Sequence, residues 1–125
     1  MITSNYDCVF FFHYAKLAHA QDRGFEQVFI HLGGGIGQTP DYWGNRYFDP
    51  HLYHNGAWTA TRGHCTEIFC RQLWQWIDTG DSQPWLAYLA LNAPHTPLQI
   101  DSALAQKYLD RGLPESQARF YALID

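Results

Sequence analysis

The residue with the most chemical promise is His95, in the segment Asn92-Ala93-Pro94-His95-Thr96-Pro97. Prolines on both sides fix the backbone and restrict the loop. That restriction pre-organises one imidazole for hydrogen bonding or proton transfer. The segment follows directly on an apolar run, Trp85-Leu86-Ala87-Tyr88-Leu89-Ala90-Leu91. If the run is a strand, His95 falls at its carboxyl end, where open α/β sheets place their ligands. The alternative is a rigid loop whose histidine only caps a carbonyl; composition and spacing leave both readings open.

Other constellations offer less. His51, His54, His64 and Cys65 can be gathered into a zinc set on paper. However, His51-x2-His54 lies across a strand start, and no second pair follows at zinc-ribbon spacing. Surface or hydrogen-bonded histidines are expected instead. The glycines from Gly33 to Gly37 lack the third glycine of a dinucleotide fingerprint, whose place Pro40 takes, and lack the Lys-Ser/Thr of a P-loop. They read as a flexible turn where backbone passes close to backbone. No Gly-x-Ser-x-Gly elbow occurs. Three cysteines, Cys8, Cys65 and Cys70, are an odd number, which argues against a disulfide framework. Reduced, partly buried thiols are expected.

The elements that must position His95 follow from hydrophobic patterning. The chain has 125 residues, 46% hydrophobic and 16% charged, which excludes a disordered tail, a coiled coil or a linker. Cys8 to Phe12 is strand-like, and His13 to Ala20 could be helical. Val28-Phe29-Ile30 reads as a buried strand. Asn55-Gly56 between Leu52-Tyr53-His54 and Ala57-Trp58-Thr59 signals a hairpin with a tight I′ turn. Thr66 is placed to cap a helix with Ile68, Phe69, Leu73, Trp76 and Ile77 on one stripe. The apolar run from Trp85 predicts an inner strand covered on both faces. A helix from Asp101 or Ser102 to Arg111 and another from Pro114, still running at Asp125, complete the pattern. The expected fold is α/β, a partial mixed sheet with flanking helices. Only two strands are convincing, and this with the unfinished last helix gives the look of an internal fragment.

Charge and hydropathy narrow the partners. A formal charge of −4 and no basic patch argue against nucleic acid. The longest apolar run is far too short to span a bilayer, so no membrane is expected as a partner. No Lys or Arg precedes the N-terminal run Cys8 to Phe12, and no small-residue cleavage site follows, so no signal peptide is expected. Nothing in the sequence assigns a compartment.

Several segments in order are similar to the formylglycine-dependent sulfatases of the alkaline-phosphatase-like superfamily. They are Gln21-Asp22-Arg23-Gly24-Phe25, His31, and Gly34-Gly35-Ile36-Gly37-Gln38-Thr39-Pro40-Asp41-Tyr42-Trp43-Gly44-Asn45. Tyr47-Phe48-Asp49, His54-Asn55-Gly56, Cys65-Thr66-Glu67-Ile68-Phe69 and the Asn-Ala-Pro-His-Thr-Pro loop continue the series. Gly112-Leu113-Pro114-Glu115 and Gln117-Ala118-Arg119-Phe120-Tyr121 close it. The Gly-rich, Tyr-Trp segment resembles the arylsulfatase-type branch in particular. The resemblance covers residues 21–125 and identifies them as a partial sulfatase catalytic domain; residues 1–20 stay unassigned.

The resemblance implies sulfate-ester hydrolysis, with a formylglycine made from Cys or Ser in C/S-x-P/A-S-R and a calcium ion held by Asp and Asn residues. It carries over one site residue: His95, from the Pro-His-x-Pro element, would hydrogen-bond the sulfate ester and act as general acid, in a catalytic and substrate-binding role. None of Cys8, Cys65 and Cys70 stands in the modification motif, and no Asp-Asn-Gly calcium segment is present. Lys16 and His19 are wrongly spaced for the family's Gly-Lys-Trp-His segment. No cofactor and no metal ligand is therefore expected in this chain, although complete members use calcium and formylglycine. The implied partner is a sulfate ester, and such enzymes are often periplasmic or secreted. A fragment without activity of its own is expected. The alternatives are a non-catalytic module binding sulfated ligands and an unstable truncated product. On the first reading His95 lies just past an inner strand with its ring partly open to solvent.

Overall fold

The computed structural model describes residues 7–11, 24–79 and 84–125. Two compact units divide it, residues 1–91 and 92–125. The first contains β1 (Asp7–Phe11), β2 (Gln27–Ile30), β3 (His51–His54), β4 (Ala57–Ala60), α1 (Cys65–Thr79) and β5 (Trp85–Leu89). The strands form one mixed sheet in the order β4-β3-β2-β1-β5. β1 runs parallel to β2 and β5, whereas β2–β3 and β3–β4 are antiparallel. The fold is α/β, as expected, with five strands among the described residues where only two are convincing from sequence. The aromatic run near the N-terminus supplies β1, an inner strand, from within the unassigned stretch 1–20. The helix expected over His13 to Ala20 lies outside the described residues.

β2 is buried on both faces because its side chains alternate. Phe29 packs with Ile36, Tyr47, Leu52, Cys65, Ile68 and Phe69, while Val28 and Ile30 pack with Leu32 on the opposite face. Phe29 and Phe69 meet edge to face with centroids 5.8 Å apart, the arrangement the ring quadrupoles favour. Ile68 and Phe69 are the buried face of α1, and Leu73 and Trp76 extend that stripe along the same core.

The Asn55-Gly56 turn forms as expected, with φ of 45° and 102° and with Tyr53 opposite Trp58. Asn55 also ties the hairpin to β2. Its Oδ1 accepts the Val28 N–H at 2.7 Å, and its own N–H donates to Val28 O at 3.0 Å.

Two expectations need correction. β5 is not an inner strand covered on both faces; it stands at the end of the sheet order and pairs with β1. Trp85, Leu86 and Tyr88 are about half exposed (50%, 57% and 46%). An unbroken apolar run therefore does not require two-sided cover, and here β1 takes the inner place. Nor is Thr66 the cap of α1, which begins at Cys65. The capping groups belong to His64: its Nδ1 accepts the Thr66 N–H at 3.4 Å and its carbonyl accepts from Ile68 at 3.0 Å.

The second unit is a helical hairpin, α2 (Ser102–Leu109) and α3 (Glu115–Ile124). Asp101 caps α2, its Oδ1 accepting the Ala103 N–H at 2.9 Å. Pro114 sits at the N-cap of α3 rather than inside its first turn. The buried contacts are small, Ala105 against Ala118 and Ala122, with Tyr108, Leu109 and Leu113 around them. No helix among the described residues is long and apolar enough to cross a membrane.

Candidate functional site

His95 stands six residues after the last residue of β5, in a tight turn closed by its own N–H donating to Asn92 O at 2.8 Å. Asn92 is buried and His95 is exposed. Its Nδ1 lies 2.6 Å from the carbonyl oxygen of Thr96. A carbonyl can only accept, so Nδ1 carries a hydrogen. The carbonyl-capping reading is thus met in the turn itself, by the ring nitrogen that faces Thr96.

The Gly-rich segment is wired through one carboxylate. Asp41 Oδ1 accepts the Leu32 N–H at 3.1 Å; Asp41 Oδ2 accepts the Gly37 N–H at 2.7 Å and Asn45 Nδ2 at 3.0 Å. Asn45 in turn clamps His51, donating from Nδ2 to its carbonyl and accepting its N–H, both at 2.8 Å. The expected close approach of backbone to backbone is present. A Cβ on Gly33 would stand 2.6 Å from Gln38 O, and one on Gly37 would run into Asn45 O. Both glycines have positive φ, 76° and 79°. The turn is held by hydrogen bonds on several sides rather than loosely hinged.

The histidines of the paper zinc set do not gather. The His51 ring stacks on Tyr42 with centroids 4.1 Å apart and planes 9° off parallel. His54 meets Phe29 edge-on at 5.3 Å, and His64 meets Phe48 at 5.1 Å. Among the described residues no three His, Cys, Asp or Glu side chains converge to hold a metal ion.

No family model matches the sequence. The chain is 33% identical over 97 residues to an arylsulfatase of Klebsiella aerogenes, covering 73% of this chain and 21% of that protein. This is a sulfatase-family chain. Solved structures agree in fold. Ps i-CgsB, crystallised in complex with k-i-k-neocarrahexaose, superposes with a TM-score of 0.77 at 22% identity, over 96% of this chain and 31% of that one. BT4656, in complex with its substrate D-glucosamine-2-N,6-O-disulfate, superposes with a TM-score of 0.65 at 15% identity, over 88% and 21%. The sulfatase-family chain thus spans about a fifth to a third of the proteins it matches.

The described residues of this sulfatase-family chain fit neither the family's calcium ion nor its formylglycine. No carboxylate cluster forms among them. Cys65 is fully buried at the start of α1, and burial pushes its thiol up to about 12, only partly offset by hydrogen bonds from Thr66. Such a thiol is protonated at neutral pH and is not a nucleophile. Cys70 lies within α1 as a second free thiol. Sequence reasoning quoted Asp41, Trp43 and Asn45 but assigned them no role. The signal for Asp41 was its distance of four residues from both Gly37 and Asn45. Trp43, 95% exposed, gave none.

Proposed function

We propose that this chain is part of a sulfate-ester hydrolase, in which His95 binds the ester and protonates the departing oxygen. Residues 21–125 belong to its catalytic domain, and residues 1–20 contribute a strand to the same sheet. The observation that carries the reading is the placement of His95: its ring is exposed, in a turn held by its own N–H on Asn92 O at 2.8 Å and by Nδ1 on Thr96 O at 2.6 Å. In the imidazolium form, Nε2–H donates to an ester oxygen. As a nucleophile supplied from outside the described residues bonds to sulfur and the ester S–O bond breaks, that proton passes to the leaving oxygen and the ring returns to the neutral form with Nδ1–H unchanged. The described residues supply this acid and no nucleophile, so the chain is not expected to turn over an ester alone. The sugars bound to the two solved relatives support a sulfated saccharide over a simple aryl sulfate as the ester.

The test is NMR of the His95 ring nitrogens during titration with a sulfated sugar. The expected result is a shift at Nε2 with Nδ1 unmoved, absent in His95→Ala; an equal response at both nitrogens, or none, would sink the proposed role. Turnover of an aryl sulfate by the chain with calcium and a formylglycine-generating enzyme is expected to be nil. Turnover that disappears in His95→Ala would require a different mechanism. A second reading, binding of sulfated ligands without hydrolysis, is supported by the buried, protonated Cys65 and by the absence of a metal cluster among the described residues. It predicts the same Nε2 shift, and it is separated from the first by turnover in a longer chain containing this one.

A further inference from the structure

We infer that Trp43 is a stacking platform for a sugar ring, a residue that grips a saccharide rather than a sulfate. The inference rests on the saccharide reading above. Trp43 is 95% exposed, on a segment where everything beneath it is fixed. It occupies the second position of a turn closed by the Asn45 N–H donating to Tyr42 O at 3.0 Å. Gly44 follows with φ of 74°, the signature of a type II turn. Tyr42 before the tip lies flat on His51, and Asn45 after it is bonded to the His51 backbone in both directions. The indole is therefore held out from an anchored base.

Its neighbours are occupied with one another. Tyr42 meets His51 and Trp58, and Tyr53 meets Trp58, while Trp43 takes part in none of the ring contacts among the described residues. An indole face is electron-rich, and the axial C–H bonds of a pyranose are its complement. One open ring matches one sugar unit. A protein partner would require a contiguous apolar patch with a fully buried centre. Binding residues carried by loops on a rigid scaffold are the usual arrangement, and the Asp41 and Asn45 wiring supplies that rigidity.

The experiment is calorimetric titration of the whole chain with a sulfated neocarrahexaose, the same sugar desulfated, and inorganic sulfate. Trp43→Ala is expected to weaken both sugars by about tenfold, the size of one aromatic stacking contact. Trp43→Phe should restore most of the loss, and inorganic sulfate should bind all forms alike. Trp74→Ala, which removes an exposed tryptophan from α1, should change nothing. Unchanged sugar affinity in Trp43→Ala, together with a lower melting temperature, would make the residue a packing contact and overturn the inference. Loss of inorganic sulfate binding in the same variant would also overturn it, because the residue would then be holding the anion's surroundings. Failure of the wild type to prefer the sulfated sugar would instead count against the sulfate-ester reading. The tenfold step on the desulfated sugar would remain readable in that case.

Discussion

The two units of the chain are built on opposite packing principles. The sheet unit buries large side chains, Tyr47, Phe69, Ile30, Leu52 and Ile68, each almost wholly removed from water. The helical hairpin buries alanines, which let two helices approach closely, and leaves Leu104, Phe120, Tyr121 and Ile124 substantially exposed. Burying a large apolar side chain is worth roughly 1.5–3 kcal/mol, and alanine contributes far less. The hairpin must therefore draw more on local devices: the Asp101 cap, the turn at Gly112, and the Glu115–Arg119 and Lys107–Asp125 pairs. The exposed pairs are worth little individually. The difference teaches that the two regions are vulnerable to opposite substitutions, loss of volume in one and gain of volume in the other.

The largest effect is expected from Phe69→Ala. It should cost about 3–5 kcal/mol by emptying the contact with Phe29, read as a lower urea midpoint with lost amide protection in β2, β3 and α1. Full protection with an unchanged midpoint would mean that the large-residue core is not what holds the sheet unit.

Cys65 sharpens the same point through pH. Its thiol is pushed up to about 12 in the folded chain, against about 8.5 unfolded. Its contribution is thus fully present below pH 8.5 and is lost as pH rises toward 12. The slope approaches about 1.4 kcal/mol per pH unit once the unfolded thiol is ionised, or roughly 2 kcal/mol between pH 8.5 and 10.5. Stability of wild type minus Cys65→Ser across that range should show the decline; a flat difference would place the thiol in contact with water.

In the hairpin the informative change is Ala118→Leu, since Ala118 is fully buried. Forcing α2 and α3 apart should cost about 1–3 kcal/mol, read as faster hydrogen exchange over residues 102–124. The same exchange rates in variant and wild type would show that the helices are not closely packed there. The smallest effect expected is that of Asp101→Ala, about 1 kcal/mol, with Asp101→Asn retaining most of the stability. Faster exchange in the first turn of α2 is the measurement, and equal loss in both variants would rule out a capping hydrogen bond as the cause.

Much of this architecture is legible in the sequence wherever a short-range rule acts alone. Asn55-Gly56 needs only its own backbone angles to make a hairpin, and the stripe from Ile68 to Trp76 needs only helical periodicity. β5 was misread because edge or inner position depends on which strand pairs beside it, and that partner, β1, is more than seventy residues away in the chain. His95 was legible because prolines advertise a restricted loop from sequence alone. That its Nδ1 would be tied to the very next residue needed coordinates. Asp41 was silent for a similar reason: its carboxylate serves backbone N–H groups of Leu32 and Gly37, and a backbone group has no residue type to notice.

The glycine turn has one more consequence, for how related loops can be found. Gly33, Gly37, Asp41 and Asn45 are spaced four residues apart, and each is fixed by something a substitute would break. Two are closed to any Cβ by a carbonyl oxygen, and two tie the turn together with side-chain hydrogen bonds. G-x3-G-x3-D-x3-N is therefore a text pattern with a mechanical meaning, one that can be sought in unaligned proteins lacking any nucleophile or metal motif. A hit would also point to the residue being displayed, because the position two after the aspartate is the tip of the turn. Across such hits the identity of that one letter, aromatic or not, would sort loops built to grip a ring from loops that merely connect strands.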